Sequence, residues 1–175
     1  MNTSSLPVVW LEPGELFIGT RPAQVQTVLG SCVSVALFDR RQGIGAICHS
    51  RLASRACSQV ICGMKVCRNL SDYVSCSLHF MLGYFDQHGS QRRELEVKLF
   101  GGANMFRQIQ SEERAERGIG KQNVDTAMAI IRREKLHLVA TDVGGVASRV
   151  ITFNTASGEV FLKRGKGSEV DVDSN

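Results

Sequence analysis

No apolar run in this chain of 175 residues approaches the roughly 18 uninterrupted residues of a membrane-spanning helix. Met1 to Leu16 lacks the basic start and apolar middle of a secretion signal, and the two absences together point to a cytoplasmic protein. The net charge is +4, yet the basic residues are scattered. No aromatic-studded basic stripe exists, so a nucleic-acid partner is poorly supported and an acidic protein surface suits the charge at least as well. The glycines of Gly101-Gly102 are not followed by Gly-Lys-Ser or Gly-Lys-Thr, which excludes a phosphate loop. What remains is ordinary for a globular protein, with 43% hydrophobic and 22% charged residues. The length suits one domain over 1–175, with a core over about residues 8–165, a short polar N-terminus and an acidic C-terminal tail.

The chain is organised around Thr27-Val28-Leu29-Gly30-Ser31-Cys32-Val33-Ser34-Val35. A small-residue turn, Gly30-Ser31-Cys32, opens into a strand whose alternate positions Val33, Val35 and Leu37 line one face. A cysteine at such a junction has amide N–H groups beside it, as an oxyanion site requires. It is equally the place for a buried core cysteine, since free cysteine is among the most buried residue types.

The next strand bears on the choice. Gly43-Ile44-Gly45-Ala46-Ile47-Cys48-His49 follows a short polar connection of hairpin length. If the loop is Arg40-Arg41 or 39–42, paired residue numbers sum to 81 and Cys32 stands opposite His49. Directly opposed residues share a face with Cβ atoms roughly 4.5–5.5 Å apart, the separation a thiol and its imidazole base need. An odd loop would send the two side chains to opposite faces.

Along the rest of the chain, Val8 to Leu11 and Glu15 to Ile18 read as short strands around Pro13-Gly14. Arg51 to Asp72 is a long connection of the kind used as a binding loop or lid. Asp72 is placed to cap a helix running to about Gln87, with Gly89 as its stop. Glu94 to Phe100 alternates as a strand and runs into Gly101-Gly102, which fits packing beside the cysteine turn. A helix opens at Gln122 or Asn123 and ends near Lys135, with Val124, Ala127, Met128 and Ile131 at helical spacing. Leu136 to Thr141 is a strand, Asp142 to Gly145 a tight turn, and Val150 to Arg164 a hairpin around Ala156-Ser157-Gly158. His79 and His88 read as solvated or packed side chains and His137 as a structural histidine.

Six cysteines are present, and Cys57, Cys62 and Cys67 recur at a regular spacing. Zinc ligands come as pairs with a second pair some way off, and no histidine lies between Arg51 and Tyr73 to complete a mixed site. The expectation is no metal and a loop of reduced thiols lying over the site; a reducing compartment argues against disulfides.

Several blocks in order carry a resemblance. These are Leu29-Gly30-Ser31-Cys32-Val33, His49, Lys98 to Met105, Ile119-Gly120 with Asn123, Asp142-Val143-Gly144-Gly145, and Arg149. Together, from about Glu15 to Lys163, they resemble the CheD family of bacterial chemoreceptor glutamine deamidases. The resemblance implies an α+β fold of layered β-sheets flanked by helices, similar to the deamidase domain of cytotoxic necrotizing factor toxins. It implies a cofactor-free and metal-free hydrolase of chemotaxis signal transduction that converts chemoreceptor glutamines to glutamates, and a CheC-like phosphatase as a possible partner. Residue by residue, Cys32 takes the nucleophile's place and His49 the base's. The threonine role falls to Thr27 or to the Gln26 position, and the N–H groups of Ser31 and Cys32 would hold the oxyanion. A binding module without catalysis, or an acyl-transfer or methylesterase enzyme using the same thioester chemistry, are the alternatives.

Overall fold

Alternation along the central strands decides the layering. The computed structural model describes residues 6–55, 67–104 and 118–165. Within them β1 (Val8–Trp10), β3 (Gln24–Leu29), β8 (Arg149–Asn154) and β9 (Val160–Arg164) form sheet A in the order β1-β3-β8-β9. Sheet B has the order β2-β5-β4-β6-β7, built from β2 (Leu16–Gly19), β4 (Val33–Asp39), β5 (Ile44–Cys48), β6 (Glu96–Gly101) and β7 (His137–Val143). Helices α1 (Val74–Gln87) and α2 (Ile119–Arg133) pack on one face of sheet B, and sheet A covers the other. This is the layered α+β class expected of the sequence.

Every residue of β4 and β5 is buried, because both faces of sheet B are covered. Val33, Val35, Leu37, Ile44, Ala46 and Cys48 face the helices and meet Leu78, Met81, Phe85 and Ile131 in one apolar cluster. Cys32, Ala36, Phe38 and Ile47 face sheet A and pack with Val25, Leu29, Ile151 and Phe153. Each large side chain so buried contributes roughly 1.5–3 kcal/mol of transfer free energy, so the two clusters fix the layers firmly.

Five expectations are corrected. Residues 24–29 form a strand, β3, that the reading of a bare turn left out; it pairs with β8 over its whole length. In the β4–β5 hairpin the loop has an even count but is centred one residue later, over 40–43, so paired numbers sum to 83, as in Asp39↔Ile44 and Ala36↔Ile47. The cause is local: Asp39 Oδ1 accepts hydrogen bonds from the N–H groups of Arg41 (2.9 Å) and Gln42 (3.0 Å), and Gly43 takes a φ of 64°, a left-handed conformation that glycine adopts freely. Asp72 does not cap α1. The N-cap is Tyr73, without a side-chain cap bond, and the Asp72 carboxylate is held instead by Arg51, from Nη2 at 2.8 Å and Nε at 3.1 Å. Helix α2 starts at Ile119, after an extended Gly118, so Asn123 lies inside the helix rather than at its mouth. His137 is exposed, because β7 is an edge strand of sheet B.

The lid expectation falls partly outside the described residues, where Cys57 and Cys62 lie. Cys67 is buried with Leu70 and Cys76, and Arg55 Nη2 approaches its sulfur at 2.7 Å.

Candidate active site

The site lies where β3 of sheet A crosses the end of the β4–β5 pair. β3 alternates with Val25, Thr27 and Leu29 buried, so these three point at sheet B. Gln26 points the other way. Thr27 is therefore the residue that reaches His49: its Oγ1 lies 2.7 Å from His49 Nδ1 and donates its own proton to the carbonyl of Leu11, also at 2.7 Å.

This relay assigns a tautomer. A hydroxyl has one proton, and here Leu11 takes it, so Thr27 Oγ1 is an acceptor toward the imidazole. Nδ1 then carries the ring proton and Nε2 holds a lone pair. Nε2 is buried and has no partner among the described residues. Buried polar atoms are almost always paired, and an orphan calls for an explanation such as a reacting proton. Burial, more than any charge, holds the His49 pKa below its ordinary value, while the Leu11 carbonyl and Glu12 pull it partly back; the ring is a neutral base.

Backbone bonds fix the histidine from both sides. His49 N–H donates to the Glu15 carbonyl, and Gly14 N–H donates to the His49 carbonyl, both at 2.8 Å. On the other side Val33 and Ser50 exchange two hydrogen bonds, of 3.0 and 2.9 Å. With the sum of 83 carried through this bridge, Ser34 stands opposite His49, and the next step outward places Arg51 across from Cys32. Cys32 and His49 still share the face toward sheet A, but as diagonal neighbours. Diagonal pairs remain within reach of long or aromatic side chains, at roughly 7–8 Å between backbones. Ser34 Oγ, on the residue opposite His49, is likewise buried and without a partner among the described residues.

Cys32 is half-buried. Burial pushes its thiol above the ordinary value; the Arg51 guanidinium and the residue's own N–H oppose the rise. Both shifts favour the uncharged forms, so the free site pairs a neutral thiol with a neutral imidazole. Arg51 is a site residue that the sequence reading passed over; an arginine two positions after a candidate base was the available signal.

The turn before Cys32 is held by its carbonyls. Gly30 C=O accepts from Ala103 N–H and Cys32 C=O from Gly102 N–H, both at 2.8 Å; Ser31 C=O accepts from Asn123 Nδ2 at 3.1 Å. The two glycines make this docking feasible. A Cβ on Gly101 would stand 2.2 Å from the Cys32 carbonyl oxygen, and one on Gly102 would stand 2.8 Å from that of Gly120. The expected packing of Gly101-Gly102 beside the cysteine turn is what the structure shows. Arg149 closes the far side: paired with Leu29 in the β3–β8 ladder, it donates to Asp142 Oδ1 (2.8 Å), the Gly144 carbonyl (2.7 Å) and the Ala147 carbonyl (3.0 Å). It thereby ties the end of β7 to the start of β8.

Comparison with known sequences follows the same outline. The sequence profile described as CheD chemotactic sensory transduction matches residues 64–164. A protein of Geobacter sulfurreducens named probable chemoreceptor glutamine deamidase CheD 2 is 41% identical over 166 residues, 95% of each chain. The chain belongs to the CheD family. A Maridesulfovibrio salexigens relative, named probable chemoreceptor glutamine deamidase CheD, is 38% identical over 93% of this chain and 95% of its own. A Methanosarcina acetivorans relative named CheD 1 is 29% identical over 89% and 91%. The profile match begins after Thr27, Cys32 and His49, whereas these CheD relatives align over nearly the whole chain. Among the described residues no helix is long and apolar enough to cross a membrane.

Proposed function

We propose that this CheD-family chain is a cysteine-dependent protein-glutamine deamidase acting on chemoreceptors, with Cys32 as nucleophile, His49 as general base and acid, and Thr27 as the residue that orients the imidazole. The observation that carries the reading is the relay from His49 Nδ1 through Thr27 to the Leu11 carbonyl, which leaves Nε2 buried, unprotonated and without a partner among the described residues. The names of the CheD relatives support the substrate.

In the first half-reaction Nε2 takes the thiol proton as the sulfur bonds to the side-chain carbonyl carbon of a glutamine. The carbonyl electron pair moves onto oxygen, where the N–H groups of Ser31 and Cys32 receive it. Collapse of this intermediate breaks the C–N bond. Protonated His49 gives its proton to the departing nitrogen, so ammonia leaves and a γ-glutamyl thioester remains. In the second half-reaction His49 takes a proton from water, the hydroxyl adds to the thioester, and collapse returns the thiol and a glutamate side chain. A neutral starting pair suits this scheme, because the proton moves as the bond forms.

The same reading takes residues 1–175 as one deamidase domain working in the cytoplasm, with a fold akin to the deamidase domain of cytotoxic necrotizing factors and a CheC-like phosphatase as a binding partner. It uses no metal or cofactor.

The test is to incubate the protein with a receptor signalling fragment and follow ammonia and intact mass. Each turnover adds about 1 Da, from NH₂ replaced by OH. Binding without mass change would make the chain a docking module, and methanol release without ammonia would make it an esterase; either result removes the deamidase reading.

A further inference from the structure

Asn123 is fully buried inside α2, on the face that also buries Gly120, Ala127, Ile130 and Ile131. An uncharged amide on such a face needs a reason. Both protons of its Nδ2 are used, and each goes to a different piece of the site: one to the Ser31 carbonyl at 3.1 Å, the other to the Arg51 carbonyl at 2.9 Å. Oδ1 is buried and has no partner among the described residues. The amide orientation follows from these contacts, since the flipped form would set a carbonyl oxygen against two others.

The two carbonyls belong to the segments that carry Cys32 and His49. Ser31 C=O shares its peptide plane with the Cys32 N–H, and no peptide bond is cis among the described residues. In a trans peptide the C=O and the following N–H point in opposite directions. Anchoring Ser31 C=O to α2 therefore turns the Cys32 N–H away from the helix, and the Gly30 C=O bond to Ala103 turns the Ser31 N–H away from Ala103. Successive N–H groups left free on one side of a turn form an anion-binding concavity. The Cys32 N–H lies close enough to its own sulfur to stabilise a thiolate, so it is on the reacting side. The second bond holds Arg51, two residues after His49, against the same helix.

We infer that Asn123 is a positioning residue: by gripping the Ser31 and Arg51 carbonyls with one amide group, it aims the Cys32 N–H at the oxygen of a tetrahedral intermediate and holds the nucleophile and base segments in one frame. The inference rests on the proposed thiol chemistry for the identity of the oxyanion, but its test does not need a receptor substrate.

Two reactions of Cys32 in the full-length protein separate oxyanion support from thiol reactivity. Alkylation by iodoacetamide displaces iodide and forms no oxyanion. Acylation by p-nitrophenyl acetate passes through one, and releases p-nitrophenolate as the acetyl thioester forms. Rates are taken per titratable Cys32 thiol, with a Cys32→Ala protein as the background. For Asn123→Ala the saturating acylation rate is expected to fall tenfold or more, toward the roughly 10²–10³ of a lost oxyanion donor, with alkylation nearly unchanged. Asn123→Leu keeps roughly the volume, loses the donors and adds no charge, and gives the same split, so a poorly folded alanine variant does not leave the matter open. Equal loss in both reactions, or no loss of acylation, would overturn the inference. If the wild type releases no ammonia from receptor glutamines yet the split is seen, the deamidase reading falls and the role of Asn123 stands; if the Asn123 variants deamidate like wild type, the reverse holds.

Discussion

The two faces of sheet B differ by one residue step and by everything chemical. On the helix side, Val33, Val35, Leu37, Ala46 and Cys48 enclose an apolar cluster, and Cys48 is a thiol with no solvent access. On the other side, the same strands and the residues continuing them present Cys32, Ser34 and His49 toward Thr27. Burial raises both thiol pKa values, but only Cys32 has Arg51 pulling its thiol back and a base on its own face. A cysteine's chemistry here is set by which face it takes, because strand side chains alternate.

The largest expected effect breaks that comparison directly. Cys32→Ala abolishes ammonia release while leaving thermal stability near wild type, whereas Cys48→Ala keeps turnover and lowers stability by about 1 kcal/mol or somewhat more, the usual scale for a core truncation. Activity assays and thermal melts on the pair check this; activity retained by Cys32→Ala places the nucleophile elsewhere. Next, His49→Ala is expected to lose about 10²–10⁴-fold in kcat, the range of general acid–base contributions. Thr27→Val sharpens the comparison further, since it keeps the shape and removes the acceptor for Nδ1–H together with the donor to the Leu11 carbonyl. Leaving a buried donor unpaired costs about 1–3 kcal/mol, which corresponds to about 5- to 140-fold in kcat at 1.4 kcal/mol per decade. A KM change with constant kcat would instead assign Thr27 to substrate binding.

The smallest effect is a pH dependence. His49 is held below its ordinary pKa of about 6.5 by burial, so between the folded and unfolded values the unfolded chain binds the extra proton. Its contribution to stability is present above about pH 6.5 and is lost as pH falls toward the folded value. Melting temperature is expected to drop over that window, and less so in His49→Gln. The acid limb of kcat falls in the same region, below pH 6.5. Conversely, iodoacetamide labelling of Cys32 keeps rising above pH 9, because burial raises the thiol; a plateau near neutrality would show a preformed thiolate.

Local pattern made much of this visible in the sequence. The alternation of Val33, Val35 and Leu37 placed β4 and its faces, the Ala156-Ser157-Gly158 turn placed the last hairpin, and the blocks from Leu29 to Arg149 named the family. Loop parity was enough to bring Cys32 and His49 to one face. The distance along the ladder was not readable, because Asp39 sets it by binding two N–H groups across the turn. Asn123 was legible as a candidate helix start and as one of the family blocks, but not as a partner of two backbone carbonyls, although its spacing from Ala127 and Ile131 put it on the apolar face.

What the sequence determined by itself is what depends on near neighbours: the period of a strand, the conformation of a glycine turn, the side on which each thiol lies. The tertiary structure decided the rest. Thr27 rather than Gln26 meets His49 because β3 lies in the other sheet and only its inward residues reach across. Asn123 joins two carbonyls distant in the chain because α2 docks on Gly101-Gly102. Each is a contact between segments far apart in sequence, fixed by packing of layers against one another, and no local rule of spacing contains it.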